Sequence, residues 1–156
     1  MTDLSLIIRA GTPEDAEEIE RLYLQSVAHL QSLGDTDAFL FSAEVYRRDG
    51  FGENPAFAGI VAEVGEQLLG YLLYQMNYDT DAAARSLFIL DLAVDAAARR
   101  QGVGRALMAA AASLCRALGG SELAWAVYNK NQLAFDFYLS LGAKPIPDLT
   151  YMYVPV

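Results

Sequence analysis

Apolar positions recur along the first fifty residues with two different spacings. Residues 4–10 alternate well enough to predict a first strand. Thr12 precedes Pro13 and stands three residues before Asp15, a pattern typical of the beginning of a helix. The apolar positions that recur in this helix are Ile19, Leu22 and Val27. A second helix is predicted over residues 42–48, where a segment rich in turn residues ends it.

The middle of the chain has the patterns of strands. Strands are predicted over residues 56–64 and 67–78, and the turn at Gly65 joins them as a hairpin. Residues 87–95 are apolar on both faces of a strand, except for the carboxylate of Asp91 in the middle. Such a strand is typical of the interior of a sheet that is covered on both sides.

The last third of the chain alternates between helical and strand patterns. A helix is predicted from Val103 to the glycines at 119–120, followed by a strand over residues 121–128. A helix over residues 131–142 and a last strand over residues 150–156 complete the order β-α-α-β-β-β-α-β-α-β. The predicted apolar stripe of the first of these helices is Val103, Leu107, Ala110, Leu114 and Leu118. This order predicts a single α/β domain over residues 1–156 with a mixed sheet.

Composition and charge narrow the class of protein. With 11 basic and 20 acidic residues the formal net charge is −9, which argues against nucleic acid and favours a cationic small molecule as partner, with solubility alone as the alternative reason for the acidity. The most apolar run, residues 106–115, is too short to span a membrane. Cys115 is the single cysteine, and the first residues lack a secretory pattern, so we expect a cytoplasmic protein. His29 has no second histidine beside it, and no metal site is predicted.

A basic, glycine-containing segment precedes the helix that begins at Val103. Its arginines and glycines are Arg99, Arg100, Gly102, Gly104 and Arg105. Glycines let the backbone approach an anion, and the first amides of a helix favour negative charge, so the segment predicts a phosphate site. It lacks the Gly-Lys-Ser/Thr of a P-loop, and Leu107 takes the place of the third glycine of the dinucleotide fingerprint. A glycine-rich turn without a ligand is the alternative.

Two motifs connect this segment with a known family. The pattern Arg-x-x-Gly-x-Gly, which begins at Arg99 directly after an apolar strand, resembles motif A of the GNAT superfamily of acetyl-CoA-dependent N-acetyltransferases. Residues 131–143 resemble the family's motif B, Asn-x-x-Ala-x-x-x-Tyr followed by Leu-Gly, and its three named positions are Asn131, Ala134 and Tyr138. Residues 49–64, 77–79 and 90–94 are similar to the diamine (spermidine/spermine) N-acetyltransferase branch.

The resemblance implies a fold, a cofactor and a set of contacts. It implies the GNAT fold, with a mixed, mostly antiparallel twisted sheet flanked by helices, and a homodimer. It also implies that backbone amides of residues 101–105 hold the pyrophosphate of coenzyme A. Residues 92–94 would run alongside its pantetheine arm, where a bulge splays this strand from the next. The residues assigned to the cofactor are Leu92, Ala93, Val94, Arg99, Arg100, Gln101, Gly102, Val103, Gly104, Arg105, Asn131, Ala134 and Tyr138.

Two residues are predicted to carry the chemistry. Transfer of acetyl from a thioester to an amine needs an acceptor for the amine proton and a proton donor for the departing thiolate. A phenol has an ordinary pKa of ~10 and is protonated at neutral pH, so Tyr138 is the predicted donor, with aromatic packing as the alternative. A carboxylate in an apolar strand needs a partner, a raised pKa or access to substrate. Asp91 is therefore predicted to hold the amine or accept its proton, with a structural salt bridge as the alternative.

The acceptor side is less sharply defined by the sequence. The other candidates for contact with a cationic substrate are Asp35, Asp37, Asp79, Asp81 and Trp125, with solvated turns or packing as their alternatives. The diamine branch carries a glutamate immediately before the aspartate, where this chain has Leu90, so the general base stays open, and Glu63 is a further candidate.

The predicted function is acetyl-CoA-dependent acetylation of a primary amine by direct attack in a ternary complex. The predicted acceptor is a polyamine, a diamine or a lysine-like amino acid. The alternatives are a protein or antibiotic amine as acceptor, or a coenzyme A-binding sensor without turnover.

Overall fold

A five-stranded sheet with flanking helices forms the fold in the computed structural model, which describes residues 5–156. The strands are β1 (Ile7–Ala10), β2 (Ala58–Val64), β3 (Gln67–Asp79), β4 (Ala84–Val94) and β5 (Gly120–Trp125). The helices are α1 (Ala16–Ser32), α2 (Ala43–Gly50), α3 (Val103–Ala117) and α4 (Gln132–Ser140). The predicted α/β fold is confirmed. Leu4, in the predicted first strand, lies outside the described residues.

The strands follow one another across the sheet in the order of the chain. Strands β1 to β4 pair antiparallel with their neighbours, and β5 pairs parallel with β4. The sheet is therefore mixed and mostly antiparallel, as the family resemblance implied. The hairpin between β2 and β3 closes by pairing Val64 with Gln67, as predicted, and Gly65 adopts φ 63° in its turn. The mostly apolar β4 lies between β3 and β5, in the interior of the sheet, as its pattern predicted.

Local capping interactions start the first two helices where the sequence predicts them. A short 3-10 turn, Pro13–Asp15, leads into α1, and the Thr12 amide donates a hydrogen bond of 2.8 Å to the Asp15 carboxylate. The Ser42 hydroxyl caps α2 by accepting a hydrogen bond of 3.2 Å from the Val45 amide. The apolar positions predicted to face the core from α1 are all buried: Ile19, Leu22 and Val27.

Helices α1 and α3 pack on opposite faces of the sheet. Tyr71 and Leu73 of β3 belong to a core cluster with residues of α1 and α2. Gly70, on the other face of the same strand, lies against Val103 and Leu107 of α3. None of the helices in residues 5–156 combines the length and apolar character that crossing a membrane requires.

The buried face of α3 differs from the predicted stripe. Its buried residues are Val103, Leu107, Met108, Ala111 and Cys115. Ala110 and Leu114 are half-buried, and Leu118 is 45% exposed, so the prediction of a core position was wrong for Leu118. The buried positions follow a spacing of four residues from Val103 through Leu107 and Ala111 to Cys115, whereas the predicted stripe moves to Ala110 and Leu114. Apolar character alone does not decide between these two spacings.

The predicted last strand over residues 150–156 is absent, so the order is confirmed only as far as α4. Tyr151, Met152 and Tyr153 are 74%, 89% and 92% exposed. An alternating pattern indicates that a segment could bury one face as a strand. The strand itself forms only where a neighbouring strand exchanges backbone hydrogen bonds with it.

The chain falls into two compact parts. Residues up to Ala126 form the first part, which holds the sheet, and Val127–Val156 form the second, which holds α4. The organisation of residues 1–156 as a single domain stays a prediction.

Replacement of Gly70 by alanine should destabilise the fold by about 1–3 kcal/mol, because the site is already filled. The new methyl group would lie 2.9 Å from the Ala93 carbonyl oxygen and 3.1 Å from Val103 and Leu107 carbon atoms. The matched control is Gly59→Ala in β2, where the nearest atom is a side-chain methyl of Leu73 at 2.8 Å and the nearest backbone atom, the Leu72 carbonyl oxygen, is 3.5 Å away. Urea unfolding would measure the free energy of unfolding of both variants. An equal loss of stability in the two would contradict the role of close packing at Gly70.

Candidate functional site

The candidate site begins at an irregularity in β4. Asp91 pairs with Leu73 of β3, and Ile89 pairs with Tyr74, so Leu90 is an extra residue that no β3 residue opposes. Such a β-bulge bends the strand and redirects the side chains around it, and bulges are common beside active sites. Leu90 is 44% exposed as a result, although its apolar character predicted a core position.

Strands β4 and β5 part immediately beside this bulge. Their parallel pairing ends where Ile89 pairs with Trp125, the last residue of β5. Strand β4 continues to Val94, and within residues 5–156 no strand pairs with this edge of Leu90–Val94. Backbone amide and carbonyl groups along such an edge can pair with an extended ligand. The pantetheine role of Leu92, Ala93 and Val94 itself stays a prediction.

The Asp91 carboxylate is half-buried beside the bulge and accepts hydrogen bonds from two neutral groups. The Tyr71 hydroxyl donates to Oδ2 over 2.5 Å, and the backbone amide of Leu92 also donates to the carboxylate. Tyr71 pairs with Ala93, so it lies diagonally across the strands from Asp91, within reach of a long aromatic side chain. Neither donor carries a positive charge, in contrast to the structural salt bridge that the sequence left as an alternative.

Burial controls the proton affinity of this group. Desolvation raises the pKa of Asp91 above its ordinary value, and the hydrogen bond from Tyr71 only partly opposes that rise. Desolvation, together with the nearby Asp91 charge, raises the pKa of Tyr71 well above that of an ordinary phenol. The pKa of Tyr23 of α1 is also raised, mainly by burial and to a smaller extent by the Asp91 charge. Asp91 is therefore a stronger base than an exposed aspartate, beside two phenols that stay protonated.

Tyr71 and Tyr23 are site residues that sequence reasoning missed. Tyr71 lies in a strand of apolar residues, and Tyr23 lies in a helix, where aromatic residues usually pack in a core. Only the register of β3 against β4 brings the Tyr71 hydroxyl to Asp91, and no local signal marks a contact between residues twenty apart.

The glycine-containing loop between β4 and α3 is open to solvent. Its exposed residues are Arg99, Arg100, Gln101, Gly102 and Arg105. Gly102 adopts φ 83°, and a methyl group built on it would meet no atom within 4 Å, so the space beside its Cα is open. Val103 is buried and can face that space only through its backbone. Amides in the first turn of a helix have no carbonyl partner within the helix, and such amides can bind phosphate oxygens. The role of residues 101–105 toward coenzyme A stays a prediction.

The remaining acidic candidates have structural partners of their own. The Asp35 carboxylate accepts a hydrogen bond of 2.9 Å from the amide of Asp37. The Asp79 carboxylate closes a similar turn on the amide of Asp81, also at 2.9 Å. These are the turn interactions that the sequence offered as alternatives, and a contact of these residues with substrate stays a prediction. Glu63 pairs with Arg9 at 2.9 Å, which makes it a weaker candidate for the general base.

The second compact part contains the residues of the predicted motif B. The Asn131 side chain caps α4 by accepting a hydrogen bond of 3.2 Å from the amide of Ala134. Tyr138 lies two helical turns further along, half-buried, with its ring centroid 5.2 Å from that of Phe137. Gly142 follows the helix with φ 88°, as the terminator that the sequence predicts. The roles of Asn131, Ala134 and Tyr138 toward the cofactor stay predictions.

Comparison with known proteins supports the family that the motifs suggested. Residues 18–143 match the model of the acetyltransferase (GNAT) family. A thialysine N-epsilon-acetyltransferase from Sus scrofa is 32% identical over 92% of this chain and 87% of its own. A spermidine/spermine N(1)-acetyltransferase-like protein 1 from Homo sapiens is 29% identical over 87% of this chain, which corresponds to 20% of that longer protein.

A solved structure agrees with the architecture. A point mutant of the BH1408 protein from Bacillus halodurans superimposes with a TM-score of 0.78 and 28% sequence identity. The match covers 96% of this chain and 99% of that one. An aminoglycoside acetyltransferase from a soil metagenome has a TM-score of 0.74, but its identity of 20% supports a common fold alone.

Proposed function

Because the chain belongs to the GNAT family of acetyltransferases and is an N-acetyltransferase, we propose that it acetylates a primary amine of a small cationic molecule with acetyl-CoA. The proposed acceptors are polyamines, diamines and lysine-like amino acids. The names of two relatives, which refer to thialysine and to spermidine/spermine, support this range. The observation that carries the proposal is the half-buried Asp91 carboxylate beside the point where β4 and β5 part.

The donor side of the proposed site is the open edge of β4 together with the loop that follows it. Backbone amides of residues 101–105 would hold the pyrophosphate, and Arg99, Arg100 and Arg105 would add positive charge. Backbone groups of residues 92–94 would pair with the amides of the pantetheine arm. Acetyl-CoA, when bound, supplies the acetyl group as a thioester.

The acceptor side of the proposed site is centred on Asp91. Its carboxylate attracts an ammonium group, which loses a first proton to solvent and so becomes a nucleophilic amine. The raised pKa lets Asp91 take up the second proton, which the amine loses as the N–C bond forms. The hydrogen bond from Tyr71 fixes the orientation of the carboxylate, whose remaining lone pairs would accept from the amine or from an intervening water. The net charge of −9 favours cationic acceptors over anionic ones.

Tyr138 is the proposed proton donor to the departing thiolate. The thioester C–S bond breaks as the new amide forms, and the protons balance from the neutral amine, because one proton leaves the amine toward Asp91 and another reaches the sulfur atom from the Tyr138 hydroxyl. Asp91 then loses its proton to solvent, and Tyr138 regains one from solvent. This chain has Leu90 where the diamine branch has an acid, and we propose Asp91 as the base because it is half-buried and accepts its hydrogen bonds from neutral donors.

An assay of coenzyme A release over a panel of amines would test the proposed function. We expect turnover with a polyamine, a diamine, lysine or thialysine, with the acetylated product identified by mass spectrometry. Turnover only with an aminoglycoside or a peptide amine would replace the small cationic acceptor by one of those classes. Micromolar binding of coenzyme A without turnover on any amine would leave the sensor function.

Other aspects of the proposal have tests of their own. We propose a homodimer, and sedimentation at several protein concentrations would test it. A cytoplasmic location, and the expectation that neither nucleic acid nor membrane is a partner, also stay predictions.

A further inference from the structure

A tightly bonded turn connects β4 with the loop of residues 99–105. The turn is a short 3-10 helix, Ala96–Ala98, which ends directly before Arg99. Asp95 begins it: one carboxylate oxygen accepts from the amide of Ala97 at 3.0 Å, and its carbonyl accepts from the amide of Ala98 at 2.9 Å. The Gln101 side chain donates back to the Ala97 carbonyl at 3.1 Å. The position of this turn therefore sets where the loop begins.

Two side chains of α1 attach to this turn from outside. Nη1 of Arg21 donates to Oδ2 of Asp95 over 2.7 Å. Oε1 of Gln25, one helical turn further along α1, accepts from the amide of Ala96 over 2.9 Å. Nη2 of Arg21 also donates to the Leu68 carbonyl of β3 over 3.2 Å, and Glu18 pairs with the same guanidinium. The turn is thus bonded to α1 at two successive positions.

The loop beyond the turn has a backbone shape that needs such support. Arg100 adopts φ 64° and Gly102 adopts φ 83°, both in the left-handed region. A non-glycine residue is held in that region only when its surroundings determine it. The Asp95 carboxylate is 8% exposed, and its amide partner and Arg21 together lower its pKa, so it stays charged and bonded at neutral pH. A loop that is held in its binding shape before the ligand arrives loses less conformational entropy on binding.

We propose that Arg21 and Gln25 are positioning residues that hold the turn at Asp95–Ala98 and thereby keep the phosphate loop in its binding shape. Neither lies in the two family motifs, and both act through Asp95 and Ala96 rather than by contact with the cofactor. The inference rests on the proposed function, because it takes the pyrophosphate of acetyl-CoA as the ligand of this loop.

The main test compares Arg21→Gln with Arg47→Gln. Arg47 of α2 pairs with Glu17 of α1, the helix that also contains Arg21. Arg47→Gln therefore removes an arginine ion pair to α1 that does not involve the turn at Asp95–Ala98. We expect Arg21→Gln to raise Kd for coenzyme A and KM for acetyl-CoA about tenfold, the size of one charge-assisted hydrogen bond. KM for the amine and kcat should change less than about threefold, since the bond is not part of the chemical step.

Two further readouts separate positioning from a general loss of stability. Arg21→Lys should recover part of the coenzyme A affinity, because an ammonium can still donate to Asp95. Hydrogen exchange of the amides of residues 96–105 should speed up in Arg21→Gln and stay unchanged in Arg47→Gln. If Arg21→Gln does not fold, Gln25→Met gives the same test, with the acceptor for Ala96 removed and the side-chain volume kept.

The outcomes separate the positioning role of Arg21 and Gln25 from the proposed function. Unchanged coenzyme A affinity and unchanged exchange in the loop of Arg21→Gln, with a wild type that binds coenzyme A, would overturn the positioning role and leave the proposed function intact. A wild type that does not bind coenzyme A would overturn the proposed function and, with it, the ligand of the loop. The exchange experiment would then decide alone whether α1 holds the turn.

Discussion

Asp91→Asn is expected to lower kcat/KM for the acceptor amine by about 100- to 10,000-fold, the range that a positioned general base contributes. Asparagine has nearly the same shape and can still accept the hydrogen bond from Tyr71, so the geometry of the bulge should survive. It can neither attract an ammonium group by charge nor take up its proton. The affinity for coenzyme A should change little, because that ligand is assigned to the loop after β4.

Stability gives the control for this variant. Burial raises the pKa of Asp91, so the folded state binds the proton more tightly than the unfolded chain does. This group therefore lowers the stability of the fold as the pH rises through its unfolded and then its folded pKa. Below the pKa of Asp91 in the unfolded chain, the carboxyl is protonated in both states and this loss of stability is absent. Asp91→Asn should be at least as stable as the wild type at neutral pH, and a large loss of stability would assign a structural role to the carboxylate.

The pH dependence of the reaction follows from the same shift. The proposed base acts in its charged form, so kcat/KM should fall as the pH drops through a pKa above the ordinary aspartate value of ~3.9. Tyr71→Phe removes a hydrogen bond that lowers this pKa, and the acid limb should then move to higher pH. An acid limb that stays in place in Tyr71→Phe would mean that another group controls it.

Tyr138→Phe is expected to lower kcat by about 100-fold or more while Kd for coenzyme A changes less than about threefold. The variant keeps the ring and its contact with Phe137, and it removes only the hydroxyl that is proposed to protonate the thiolate. An interaction that is made only as the sulfur gains charge affects kcat rather than binding.

Tyr128→Phe is the matched control, since this half-buried tyrosine belongs to the same compact part and has no assigned role in the chemistry. It should leave kcat within about twofold of the wild type. Equal losses of coenzyme A affinity and kcat in Tyr138→Phe would assign this residue to packing against the cofactor. A silent substitution would remove it from the mechanism.

The sequence alone was sufficient for features that a few neighbouring residues decide. The hydrogen bond between Thr12 and Asp15, the Ser42 cap of α2 and the turn at Gly65 all depend on residues within four positions of one another. Their energies are local, so the residue types predict them directly. For the same reason the glycine-containing loop before α3 and the unusual carboxylate at Asp91 were evident from the pattern.

Only the tertiary structure decided how those features are combined. Asp91 meets Tyr71 across twenty positions of the chain, and Arg21 meets Asp95 across seventy-four, through strand register and helix docking. The same is true of the rotated buried face of α3 and of residues 150–156, whose alternation does not supply a neighbouring strand. The side-chain pattern determines which face of a segment can be buried. Register, bulges and packing are set by the free energy of all elements together, and this cannot be read from any one segment.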